Sequence, residues 1–472
     1  MNGSIIIHYG LLKDVLVLFL ALAIFWTVGK IYSINLNKAA RSISIFIGMS
    51  ILCLQLVVYG WLKLPWNPLL LLAPHLFYAV LHRHKILSVT KITYNTYSKR
   101  LRYITATELL IILIGLFLSL SLASMLVAQP LAGWDALAIW FYKAKLFFES
   151  ESLTVQTFIY DRVRNPDYPP GFPLVVDFLY VLRGDVSEAL GKSVVFIYLF
   201  GFLQMLKNLL MNYEREVKVL VYVVFGFMIF GEAFRPYLFE VKYLGYVDFI
   251  VGLLISASML FSWMGFKDKV QGYSLAGVYL AVFASLHKYD ALASVAISVG
   301  LYSYLYLLTT LREKRHSVLL RKFSIIIVLC SPLLAWMIFT KVADFPSYVD
   351  QQSKSLSMLF NEAPQRLGRI AYYTARTVIK DTGILVIAPS VFLIVFAMAK
   401  NLKKYWVLTS FFLAQLILYT FIYLITPLDL DTHLKTSIDR LAIQICLMLL
   451  TAIIAILLGE SKKRGIQKNA GA

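Results

Sequence analysis

Cysteine is scarce in this chain. Cys53, Cys330 and Cys446 are the three in 472 residues, and each sits inside an apolar run. That number and placement exclude a disulfide framework and a thiolate metal site. Charge is scarce as well: 15% of the residues are charged while 60% are hydrophobic, and a soluble domain of that composition would aggregate. Internal repeats, low-complexity tracts and any soluble domain longer than a loop are missing. There is no Walker loop and no Gly-x-Gly-x-x-Gly after a strand, which argues against a nucleotide-driven pump or a nucleotide-sugar enzyme. Paired Gly/Pro-broken helices at mid-bilayer are not evident either, which weakens a secondary-transporter reading. The apolar stretch Val15–Val28 is followed by no small-residue cleavage site, so it reads as a first span rather than a signal peptide.

What the chain has is apolar runs of about 17–22 residues, the length that crosses a ~30 Å hydrocarbon core. They lie near 14–31, 43–62, 67–82, 108–128, 190–207, 219–234, 246–264, 272–287, 290–310, 323–340, 384–399, 405–426 and 440–458. The run Gly171–Leu182 is shorter and carries Asp177, so it reads as an interfacial or re-entrant segment. With that run left out, the basic loops fall on one side. They hold Lys30, Lys38 and Arg41; Arg83 to Arg102; Lys207, Arg215 and Lys218; Lys267 and Lys269; Arg312 to Lys322; Lys400 to Lys404; and Lys462 to Lys468. The positive-inside rule then places the N-terminus outside and the C-terminus in the cytoplasm.

The net charge of +19 is thus a topology signal. Its partner is anionic lipid headgroups, with no nucleic acid. The expected fold is an all-α polytopic membrane protein of about thirteen transmembrane helices, with interfacial helices in the extracytoplasmic loops. Four regions follow: N-terminal helices over 1–107, a core over 108–340 with a first external loop at 129–189, a second external loop at 341–383, and C-terminal helices over 384–472. In the first loop, Leu137–Phe148 has apolar residues and Lys143/Lys145 at the spacing of a helix lying in the interface.

Four polar motifs fall on the external side. Asp135 follows Trp134 and reads either as a carboxylate base at the membrane boundary or as the N-cap of the helix that follows. Asn165–Pro170 reads as an extended, proline-stiffened element holding Asp167 and Tyr168, or as an ordinary loop running into a helix. Asp248 and Asp290 sit at the outer ends of spans, where an ionisable group faces a cavity or a partner; Lys288 with Asp290 reads alternatively as a structural pair. Asp429, Asp431 and His433 offer a divalent-metal ligand set. Lys435 and Arg440 offer a phosphate clamp, bidentate for the arginine. The alternative there is a solvated loop capped by Ser437.

These motifs, in order, resemble the GT-C superfamily of integral-membrane glycosyltransferases, closest to bacterial members related to the protein mannosyltransferase and aminoarabinose transferase branch. Trp134-Asp135 is similar to its first-loop acidic motif, and Tyr168-Pro169-Pro170 to its Tyr/His-Pro-Pro. Gly245-Tyr246-Val247-Asp248 is similar to its Gly-Tyr-x-Asp. The segment from His433 to Arg440 resembles its Trp-His-Leu-x-Thr-Ser-x-Asp-Arg, with Thr432 in place of the tryptophan.

The resemblance implies transfer of a monosaccharide from a polyprenyl-phosphate donor to an acceptor hydroxyl on the extracytoplasmic face of a bacterial inner membrane. The acceptor is lipid-linked, glycan or protein. Asp135 is then the base. Arg440, with Lys288 and Lys435, holds the donor phosphate, and Trp134, Asp167, Tyr168, Asp248, Asp290 and His433 line the substrate. The resemblance names no cofactor; a divalent metal at Asp429, Asp431 and His433 is an option that comes from those residues themselves. A surface-polysaccharide polymerase or ligase and a polytopic lipid or glycan transporter are the alternatives.

Overall fold

The computed structural model describes residues 2–33, 36–84, 106–128, 130–160, 163–211, 213–230, 243–313, 316–345, 362–380, 384–426 and 428–461. All regular elements there are helical, and no strand occurs among the described residues. Each of the thirteen apolar runs lies on a helix, with 231–234 of the sixth outside the described residues. Eight of the helices are long and apolar enough to cross a membrane, the pattern of a polytopic integral membrane protein. Much of the basic-loop charge, including Lys85 to Arg102, Lys314, Arg315 and Lys462 to Lys468, lies outside the described residues.

The chain forms two compact units. One comprises Met1–Val163, Gly171–Met205 and Leu238–Gly245; the other comprises Arg164–Pro170, Leu206–Tyr237 and Tyr246–Ala472. The Arg164–Pro170 turn belongs to the second unit, although the residues on either side of it belong to the first.

The first unit holds α1 (Asn2–Ser33), α2 (Ser44–Trp61), α3 (Pro68–Leu81), α4 (Ala106–Ala128), α5 (Phe141–Ser150), α6 (Gly171–Arg183) and most of α7 (Glu188–Leu210). Helices α1 and α2 pack backbone to backbone. A methyl group on Gly29 would strike the Ser44 carbonyl, and one on Gly48 would strike the Phe25 carbonyl; small residues at such crossings let membrane helices close up. Leu69, Phe77 and Phe117 face outward from α3 and α4, as helices apolar all round do when lipid covers them.

Helix α5 has one buried and one exposed face: Phe141, Lys143, Ala144, Leu146 and Phe147 are buried, so Lys143 does not share the solvated side, while Tyr142, Lys145 and Glu149 are exposed, the last two paired at 3.6 Å. Helix α6 is buried along Gly171–Val181, packed by α1, α2 and α5. Its start lies beside Cys53 in the middle of α2, and its end reaches Asp14 near the start of α1 through Arg183. A 13-residue helix with bulky apolar residues on every side gains more by insertion among other helices than by lying at an interface.

The second unit holds α8 (Arg215–Phe230), α9 (Asp248–Asp268), α10 (Gln271–Ser285), α11 (Leu292–Glu313), α12 (His316–Val342), α13 (Ala363–Lys380), α14 (Ile384–Lys400), α15 (Leu402–Ile425) and α16 (Leu430–Glu460). Helix α9 is buried from Asp248 to Gly265 and packs on α10, α11, α15 and α16. Its crossing with α10 is again tight: added methyls on Gly265 and Gly277 would meet Ser274 and Ser262. The amphipathic α13 buries Arg366, Ile370 and Thr377 against α15 and α16 while Leu367, Arg369 and Tyr372 stay exposed. Arg366 donates to the carbonyls of Tyr423, Leu424 and Thr426 at 3.3, 3.1 and 3.1 Å, and so satisfies the last turn of α15.

Candidate functional site

In the second unit Asp248, Lys288 and Asp290 come together where α9 begins. Gly245 turns the chain with φ 81°, a conformation that glycine takes without strain. Three residues later Asp248 opens α9 as its first helical residue, where a helix N-terminus favours a carboxylate. The chain leaves α10 at Ser285 and passes through His287 and Lys288 into the short 3₁₀ turn Tyr289–Ala291. That turn sets Lys288 between two acids. Its Nζ donates to Asp248 Oδ1 at 2.7 Å and meets Asp290 Oδ2 at 2.7 Å. From α16, Gln444 Nε2 donates to the same two oxygens at 3.3 and 3.3 Å. Tyr419 of α15 donates to Gln444 Oε1 at 2.5 Å, which orients the amide, and Gln415 donates to the Asp290 carbonyl at 2.5 Å.

Burial alone would lower the pKa of Lys288. Asp248 and then Asp290 overcome that and raise it, with Arg440 opposing and Tyr168 contributing in the same sense as the acids. Lys288 therefore stays an ammonium throughout the physiological range.

Arg440 stands at the edge of this network. Its Nη1 is 3.8 Å from Asp248 Oδ2, beyond hydrogen-bonding distance, and that carboxylate oxygen accepts no hydrogen bond. The guanidinium lies over the Tyr246 ring at 4.6 Å, a cation–π contact, and Nε donates to the Thr436 carbonyl at 3.2 Å. The Arg440 side chain keeps 13% of its surface, against 2% for Asp248.

Asp167 and Tyr168 belong to the same unit. The Asp167 carbonyl accepts from Tyr289 Oη at 3.1 Å and Trp336 Nε1 at 3.0 Å, which latches the motif to the 3₁₀ turn and to α12. The motif is a turn rather than an extended element: Asn165 has φ 48° and its carbonyl accepts from the Tyr168 amide at 3.1 Å. Asparagine tolerates that left-handed conformation better than most residues.

The metal set is not assembled. Asp429 to Arg440 is no loop capped at Ser437. It is the N-cap and first turns of α16, and Asp429 is the cap. Asp429 and His433, four residues apart, fall on one side of the helix, but Asp431 lies two residues from each and points elsewhere, so the three do not converge. Asp429 accepts from the Thr432 amide at 2.9 Å and the Thr432 hydroxyl at 2.7 Å, and these hydrogen bonds hold its carboxyl below the usual carboxylate range. Asp431 meets Arg369 at 3.5 Å, and His433 Nδ1 pairs with Thr426 Oγ1 at 2.9 Å. No group of three His, Cys, Asp or Glu suited to a metal ion occurs among the described residues. Lys435 is exposed, beside the buried Leu434, and five residues from Arg440 it stands on another side of α16. Ser437 instead accepts or donates with Tyr423 Oη at 2.9 Å inside the helix pair.

Comparisons with protein-family models, curated proteins and solved structures find no match. The site stands on its own geometry.

Trp134 and Asp135 belong to the first unit. Trp134 is exposed and Asp135 half-buried, directly before the π-helical turn Ala136–Trp140, and the Asp135 side chain makes no capping hydrogen bond. The N-cap alternative is thus not what the carboxylate does, and π turns of this kind recur at functional sites. Residues missed by reading the chain are Gln444, Tyr419, Gln415 and the ring of Tyr246. The signal was available for two of them: a glutamine deep in an apolar span is costly unless it meets a polar partner.

Proposed function

We propose that the chain is an extracytoplasmic glycosyltransferase of the GT-C kind, in a bacterial inner membrane with thirteen spans, the N-terminus outside and the C-terminus in the cytoplasm. It moves a monosaccharide from a polyprenyl-phosphate donor to an acceptor hydroxyl. The observation that supports this best is the place of Arg440: its guanidinium lies over the Tyr246 ring at 4.6 Å, beside the Lys288–Asp248–Asp290 cluster, and its side chain keeps 13% of its surface. A planar cation so placed suits bidentate contact with an arriving phosphate. The donor's sugar phosphate needs no acid to leave, only cationic stabilisation of the departing charge. One base then suffices to take the acceptor proton, and a single in-line displacement inverts the anomeric carbon.

In this reading Arg440 is the phosphate-binding residue, and Lys288 holds Asp248 and Asp290 in place behind it. Asp135 as base rests on the motif resemblance alone. The test is Arg440→Lys, which retains charge and loses the planar fork. Binding of polyprenyl phosphate to the purified protein should weaken and transfer should fall by about 10²–10³, with thermal stability close to wild type. A variant that is destabilised yet keeps its specific activity would make Arg440 a structural partner of Asp248.

A further inference from the structure

The first unit contains a carboxyl group that the proposed chemistry does not use. Asp177 lies mid-way along α6 and is 0% exposed. Neither of its oxygens has a hydrogen-bond partner. Its neighbours along the helix, Val175, Val176, Phe178 and Leu179, are buried, and Phe178 packs on Phe25 of α1 at 5.0 Å.

Among the described residues, the charged and titratable groups around it give it no ion-pair partner. Helix α2 contributes Cys53, a buried thiol that supplies no positive charge, and Tyr198 of α7 stands next to Cys53. Tyr180 lies on α6 itself. Glu151, at the end of α5, carries the same sign as Asp177. From α1, Asp14 acts on Tyr180 and is already bound to Arg183 and Ser187. Arg183, the basic residue of α6, is shared between Asp14 and Asp185. Lys143 of α5 is buried as well, but it makes no hydrogen bond or ion pair with Asp177. Among the described residues, no Lys, Arg or His comes within ion-pairing distance of Asp177.

An ionised carboxylate in such surroundings is far costlier than a neutral acid, and a group so placed gives up its charge. We propose that Asp177 is a proton-binding site: the folded chain holds it as a neutral carboxylic acid at physiological pH, and the seating of α6 among α1, α2 and α5 depends on that proton. Burial first, and the charge of Glu151 second, hold the carboxyl well above the usual carboxylate range. The site is separate from the proposed transfer chemistry and stands whether or not that reading holds.

Infrared spectroscopy of the purified full chain tests this directly, because a protonated carboxyl has a carbonyl band distinct from that of a carboxylate. At pH 7 the wild-type spectrum should contain a protonated-carboxyl band that is lost in Asp177→Asn. Asp177→Glu retains the acid and should move the band rather than remove it, which supplies the same assignment should the asparagine variant accumulate poorly. Wild-type and Asp177→Asn spectra that coincide in the protonated-carboxyl region at pH 7, or an Asp177→Glu band that does not move, would show Asp177 to be ionised and overturn the proposal.

Discussion

Asp248 and Asp290 of the second unit and Asp177 of the first are buried in opposite ways, while Asp14 of the first unit is paired with Arg183 and Ser187. In the second, Asp248 and Asp290 share Lys288, Gln444 and the orienting hydroxyl of Tyr419. In the first, Asp177 has none of these. The difference teaches what each acid is for. A network that pairs its charges keeps its members ionised and fixed in position, as the proposed role of Arg440 toward a donor phosphate requires. A carboxyl with no partner avoids the cost of a buried charge by keeping its proton. Polar residues in apolar helices thus carry two distinct meanings, and the number of donors around the carboxylate separates them.

The sharpest way to break the comparison is to make the second unit resemble the first. Lys288→Met leaves two buried carboxylates uncompensated and should cost about 3–5 kcal/mol, read as loss of folded protein or a large fall in Tm. Adding Asp248→Asn and Asp290→Asn to that variant should recover much of the loss; no recovery would mean that Lys288 supports the fold by packing alone. Arg366→Met comes next. It strips three carbonyls at the end of α15 of their donor and should cost about 1.5–3 kcal/mol in thermal or denaturant unfolding. Gln444→Leu retains the size of the side chain and removes the shared donor of both acids, for about 1–3 kcal/mol by the same measurement.

The smallest effect concerns the first unit and is a slope. The folded pKa of Asp177 is raised, so above the unfolded value of about 4 the native state holds the extra proton. Stability then falls as pH rises, by at most about 1.4 kcal/mol per pH unit, until the folded pKa is passed. Asp177→Asn should match wild type near pH 4 and become the more stable of the two by up to that amount at pH 5. Parallel stability curves for the two proteins would mean that the acid is ionised in the folded state.

Much of the fold was legible because its signal is local. An apolar run of sufficient length is a helix whatever surrounds it, and among the described residues the thirteen runs fall on helices, eight of which are long and apolar enough to cross a membrane. Where burial depended on distant partners, the chain misled. Gly171–Leu182 reads as interfacial or re-entrant, and its enclosure by α1, α2 and α5 removes the interfacial alternative. Lys143 has the spacing of a solvated face and is buried. The Asp-x-Asp-x-His pattern suits a metal only on a loop, and the capping bonds of Asp429 put it on a helix. The site was half legible: Asp248, Lys288, Asp290 and Arg440 could be singled out as costly charges, but their pairing required the α16 glutamine and the α15 tyrosine, which carry no motif.

Transfer itself is the direct measurement. Purified protein in lipid discs, given polyprenyl-phosphate-linked radiolabelled monosaccharides and a panel of lipid-linked, glycan and peptide acceptors, should move label to one acceptor class with inversion at the anomeric carbon. The Asp135→Asn protein should fold normally and transfer at least several hundred-fold more slowly, as for loss of a positioned base. Label that stays on the donor across the panel, or transfer that Asp135→Asn leaves near normal, would contradict the account.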